Sequence, residues 1–93
     1  MREITDEKLK NYFEVTSKAL AMVKGNLDEE RIDTAKDFLN MAQSYFDDAN
    51  YFKEKEDYVL AFGALNYAHG WLDAGARIGL FKVKDSKLFT VDD

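Results

Sequence analysis

Apolar residues recur three and four positions apart along most of this chain, the spacing of one face of an α-helix. Leu9, Tyr12, Phe13, Thr16, Ala19, Leu20 and Val23 form the first series. Thr5 precedes it as an N-cap, and Asp6 and Glu7 suit the positive end of the helix dipole. Lys24 suits the last turn, with Gly25 in the left-handed position just past it. A helix over 6–24 follows. Ile32, Ala35, Leu39, Ala42, Phe46 and Ala49 form a second seam, capped by Asp28 and closed by Lys53 and Lys55, which predicts a helix over 28–55. Phe38, Tyr45 and Phe52 run beside that seam seven apart, and this periodicity assigns them to the core rather than to a ligand groove. Asp57 caps a third helix over 58–79. The Glu56-Asp57 break is so short that the second and third helices must form an antiparallel hairpin.

The third helix is apolar on two sides. Tyr58, Ala61, Phe62, Leu65, Ala68, Leu72, Ala76 and Gly79 share one face, while Tyr67, Trp71, Ala74 and Ile78 share another, nearly opposite. A three-helix bundle has too few neighbours to bury both. The surplus must meet the tail or another subunit. Small residues also form two stripes, Ala61, Ala64, Ala68, Gly75 and Gly79 on one side and Gly63, Gly70 and Ala74 on the other. Glycine in a helix costs about 0.5–1 kcal/mol relative to alanine, and close helix crossing is the expected compensation. Residues 81–93 alternate apolar and polar only in part, around an Asp85-Ser86 turn. An isolated two-stranded hairpin is marginal, so an extended strap is expected, with Leu88, Phe89 and Val91 covering the bundle.

Composition narrows the picture. The 93 residues suit a single domain over 1–93, and the absence of proline favours long helices. The fold class predicted is all-α, a three-helix up-down-up antiparallel bundle with a short extended C-terminal tail. A net charge of −5 disfavours a phosphate backbone as partner, so nucleic acid is not expected. Without cysteine there is no thiolate chemistry, no disulfide and no zinc-thiolate site. No apolar run reaches the roughly 20 residues of a membrane span, and the first residues carry no hydrophobic signal segment. A cytoplasmic protein without membrane contact is the expectation.

Two sets of residues could carry function. Asn66, His69, Asp73 and Arg77 lie close together on the third helix. They could form a small polar site, with His69 as proton-transfer group or metal ligand, Asp73 orienting it and Arg77 holding an anion. Spacings of four between His69, Asp73 and Arg77 are equally those of ordinary helix-surface pairs, and this reading is preferred. One histidine cannot make a multi-histidine zinc site, so no metal, no cofactor and no catalytic residue is assigned. Tyr67, Trp71 and Ile78 are the stronger signal, because exposed Trp and Tyr dominate protein interfaces. They predict a homodimer or a protein partner docked through the third helix. The alternative is a small-ligand or metal-dependent enzyme at His69, Asp73 and Arg77.

The run from Ala64 to Phe81, with Asn66-Tyr67-Ala68-His69-Gly70-Trp71 at its centre, resembles a short archaeal family known as domain of unknown function 357. Asp6-Glu7-Lys8-Leu9, Tyr45-Phe46-Asp47-Asp48-Ala49 and Asp57-Tyr58 extend the resemblance over nearly the whole chain. It implies a small all-helical protein of the archaeal cytoplasm. It assigns no reaction and no site residues.

Overall fold

A computed structural model describes residues 4–89, so Val91 lies outside the described residues. Three helices account for the architecture: α1 (Asp6–Lys24), α2 (Ile32–Glu54) and α3 (Tyr58–Arg77). A single turn of 3-10 helix, Glu29–Arg31, precedes α2. The bundle measures 44 × 25 × 19 Å.

Capping decides where each helix starts. The Thr5 hydroxyl accepts the Lys8 N–H at 3.1 Å, and the Asp57 carboxylate accepts the Leu60 N–H at 3.2 Å. Asp28 behaves differently from the expectation that it caps α2. It accepts the Glu30 N–H at 3.1 Å and the Arg31 Nε–H at 2.7 Å, which winds residues 29–31 into the tighter turn. Arg31 then leaves helical geometry at φ −127°, and α2 begins only at Ile32.

The ends differ from expectation too. Gly25 sits at φ −95° rather than in the left-handed region, and the Asn26 side chain closes α1 by donating to the Met22 carbonyl at 2.7 Å. Among the described residues, the left-handed ones are Gly79 (φ 79°) and Glu56 (φ 59°). Each stands just past a helix end. Leu80 N–H donates to the Gly75 carbonyl and Gly79 N–H to the Ala76 carbonyl, the paired bonds of a Schellman motif. α3 therefore stops at Arg77, two residues earlier than expected. Glu56 and Asp57 make the same pair of bonds to Lys53 and Phe52 at the end of α2.

α2 and α3 pack most closely. Their shared seam is built from alanine: Ala35, Ala42 and Ala49, seven apart on α2, and Ala61 and Ala68 on α3 are all fully buried. Small side chains let the two backbones approach. α1 closes the bundle with Leu9 and Phe13 beside Ala49, Ala61 and Leu65, and with Leu20 and Val23 beside Ala35, Leu72 and Ala76. It is thus antiparallel to α2 and parallel to α3.

The tail completes the core. Phe81, Val83 and Phe89 are buried in the same cluster as Leu20, Val23 and Leu72. Burying a phenylalanine stabilises the fold by about 1.5–3 kcal/mol. Backbone bonds fasten the strap to the α1–α2 loop, Asp28 N–H to the Leu80 carbonyl at 2.8 Å and Lys82 N–H to the Asn26 carbonyl at 2.7 Å. Farther on, Asp85 turns the chain by accepting the Lys87 N–H on its side chain and the Leu88 and Phe89 N–H groups on its carbonyl.

Candidate functional site

Helix α3 carries six of the seven predicted site residues and Ile78 caps its end, but the structure divides them among different neighbours. Its buried side faces α2 and α1. Its outer side is bordered by two recesses that share Asn66 and Gly70.

The larger recess, about 470 Å³, lies between α2 and α3 and is lined by Phe38, Asn66, Tyr67, Gly70, Trp71 and Ala74. Its walls are aromatic. The Phe38 and Trp71 rings meet edge to face with centroids 5.0 Å apart, and Tyr45 stacks on Tyr67 at 5.2 Å. Trp71 is half-buried, its ring braced against the core. Tyr67 remains 64% exposed and Ile78 52% exposed. Phe38 and Phe52 pack against the core as expected; Phe38 also lines this groove, while Tyr45 stands beside it only through its stack on Tyr67. Their seven-residue spacing is common to a buried stripe and to a stripe at the edge of the α2–α3 seam. Only the position of α3 separates the two.

The smaller recess, about 250 Å³, lies between α1 and α3 and includes Thr16, His69 and Asp73 in its lining. His69 Nε2 is 2.6 Å from the Leu88 carbonyl oxygen, and Nδ1 is 3.3 Å from the Thr16 hydroxyl. A carbonyl only accepts, so Nε2 carries the proton. In the neutral ring Nδ1 is then the acceptor and the Thr16 O–H the donor. Asp73 Oδ1 stands 3.7 Å from Nε2, beyond hydrogen-bond length. One imidazole thereby joins α1, α3 and the tail. Both its nitrogens are engaged, Nε2–H by the Leu88 carbonyl and the Nδ1 lone pair by the Thr16 O–H, so neither is open to a metal or a substrate proton while both partners are in place.

Of the predicted polar group, the structure brings His69 and Asp73 together. Asn66 lies on the ridge between the recesses, and Arg77 lines neither. Among the described residues, no three His, Cys, Asp or Glu side chains are placed to hold a metal ion. Thr16 and Leu88 complete the His69 arrangement, and the sequence showed only that Thr16 sits on the buried face of α1.

The glycines separate in the same way. A side chain at Gly75 would overlap the Phe81 ring, so this glycine serves the tail rather than a helix crossing. Gly79 serves the turn. Gly63 and Gly70 have no neighbouring atom within 4 Å of where a Cβ would stand. Close crossing of a helix within this chain, the expected cause, does not account for them.

A second ionic arrangement lies at the strap. Buried Asp28 is 2.7 Å from Arg31 Nε and 3.9 Å from Lys82 Nζ. The hydrogen bond from the Arg31 guanidinium holds the carboxyl below the usual carboxylate range. The Glu30 N–H and the Lys82 charge act in the same direction, against the opposing effect of burial. Arg31 also donates to the Ile78 carbonyl at 3.0 Å, so the group ties the α1–α2 loop to the end of α3.

No helix among the described residues is long and apolar enough to cross a membrane. No curated protein and no solved structure matches the chain. One family does, over residues 11–81, a span that takes in α2, α3, most of α1 and the turn through Phe81. The chain belongs to the family described as protein of unknown function (DUF357).

Proposed function

We propose that the protein is a non-catalytic interaction module of the cytoplasm that docks a helical segment of a protein partner on the outer face of α3. The observation that carries this reading is the aromatic groove of about 470 Å³ between Phe38 and Trp71, flanked by exposed Tyr67 and Ile78. Helix-in-groove recognition uses such a surface, with bulky anchors spaced to one side of a helix. Aromatic residues already braced by their own core lose little freedom on binding, which favours affinity. A photo-crosslinking residue at position 67, introduced in the native cell, tests the proposal. Discrete protein adducts at 67 that are absent when the probe stands at Lys18 on α1 are expected. Equal labelling at both positions, or none at 67, would overturn it.

A second reading, a small-ligand or metal-dependent site at His69, Asp73 and Arg77, draws on the recess of about 250 Å³ beside the imidazole. It requires Leu88 to leave Nε2. Ring resonances of His69 that stay fixed through titration with divalent zinc and with phosphate would dismiss it.

A further inference from the structure

We infer that the partner is a second copy of this chain, paired antiparallel along α3 so that Tyr67 of each copy packs against Gly70 of the other. The inference rests on the docking role proposed for this face and names its occupant. Leu60, Gly63, Tyr67, Gly70, Ala74 and Arg77 are spaced alternately three and four apart, the seam of a two-helix coiled coil. All six lie on the open side of α3, with Leu60 50% and Tyr67 64% exposed.

The contents of that seam select the direction of pairing. A parallel pair would set Tyr67 against Tyr67, and would leave Gly63 and Gly70 in layers with no side chain to fill them. Antiparallel pairing centred between Tyr67 and Gly70 matches large with small throughout. Tyr67 then faces Gly70, Gly63 faces Ala74, and Leu60 faces the aliphatic stem of Arg77. This is a closed two-fold arrangement in which the same patch serves both copies. It also gives Gly63 and Gly70 the close neighbour that the single chain lacks.

Charge supports the same direction. Glu56 and Asp57 stand at the start of α3, and Arg77 at its end, where Arg31 binds the Ile78 carbonyl. Antiparallel copies bring acidic start against basic end, whereas parallel copies would superpose like charges. A specific interface needs about 1,000 Å² in total, and a pair formed through a single helix face stands near that lower limit, so its dimer is weak and concentration-dependent.

Sedimentation equilibrium of the full chain from low micromolar to near-millimolar concentration reads the association. Gly70→Ala is the informative variant, because alanine favours the helix and keeps the monomer folded. The expected result is a monomer–dimer equilibrium in wild type, with the dimer weakened by about tenfold or more in Gly70→Ala. The chain has no cysteine, so mixing Leu60→Cys with Arg77→Cys under mild oxidation reads the register. Mixed 60–77 dimers are expected, and predominance of 60–60 and 77–77 dimers overturns the inference. So does an unchanged dimer in Gly70→Ala, or a wild type that stays monomeric throughout. In that last case, adducts of another protein at position 67 would leave the docking role standing, and the absence of any adduct would remove both.

Discussion

The ring of Phe81 lies against the backbone of Gly75, in the space a side chain there would occupy. This contact arises from the way α3 ends. Gly79 turns the chain in the left-handed region, and the N–H groups of Leu80 and Phe81 both return to the Gly75 carbonyl. Phe81 is thereby carried back one turn along the helix and into the core, where it is 1% exposed. The helix end and the docking of the tail are a single structural event.

Gly75→Ala should therefore destabilise the protein by about 1–3 kcal/mol, the cost of overpacking, although alanine is the better helix former. Urea unfolding of the variant checks this. An increase in stability would show that the Phe81 ring yields without cost.

Glu56 occupies a left-handed position at φ 59°, where a side chain crowds the backbone. The strain is about 1–2 kcal/mol, and glycine returns part of the gain through its freer unfolded chain. Glu56→Gly should raise stability by about 0.5–1 kcal/mol, read as a higher melting temperature with unchanged helix content. The Schellman bonds at the end of α2 remain in place, because glycine is the residue that motif favours.

His69 holds the tail through the Leu88 carbonyl and is itself held by Thr16. Thr16→Val removes one of these bonds and should cost about 1 kcal/mol. His69→Phe leaves the Leu88 carbonyl without its donor, which should loosen the strap more than the bundle. Trypsin cleavage at Lys84 and Lys87 measures that loosening. Faster cleavage there in His69→Phe, with the helices still protected, is the expected outcome.

Asp28 gives the fold an acid dependence whose sign follows from its environment. Its carboxyl is held below the ordinary value of 3.8 by the hydrogen bond from Arg31. A depressed folded pKa contributes stability that is complete above the unfolded value and is lost as pH falls through the folded one. Melting temperature should accordingly decline below about pH 4. The decline should be shallower in Asp28→Asn, which lacks this titration and starts from a lower stability at neutral pH. An identical slope in both proteins would exclude Asp28 as a contributor.

Much of this was legible in the chain. Thr5 and Asp57 marked the starts of α1 and α3 because their caps are local, satisfied within three residues. The spacing of Ala35, Ala42 and Ala49 marked the seam because a helix face is set by position alone. Tyr67, Trp71 and Ile78 stood out as an apolar surplus for the same reason. Asp28 differs because the same residue type caps an α-helix or a 3-10 turn: its local bonds to Glu30 and Arg31 wind the turn, while Lys82 and the Leu80 carbonyl reach it from far along the chain.

What the sequence determined by itself were the three helices, their hairpin order and the two-sided character of α3, all consequences of interactions within a few residues. Only the tertiary structure decided that Phe38 and Tyr67 line one groove and that His69 clasps the tail. It also decided that Gly75 makes room for Phe81, while Gly63 and Gly70 face open space. Apart from the Gly75–Phe81 contact, which the turn at Gly79 makes, each of those depends on the distance between segments remote in sequence. That distance is set by how closely the alanine seam lets α2 and α3 approach and by where Gly79 turns the chain.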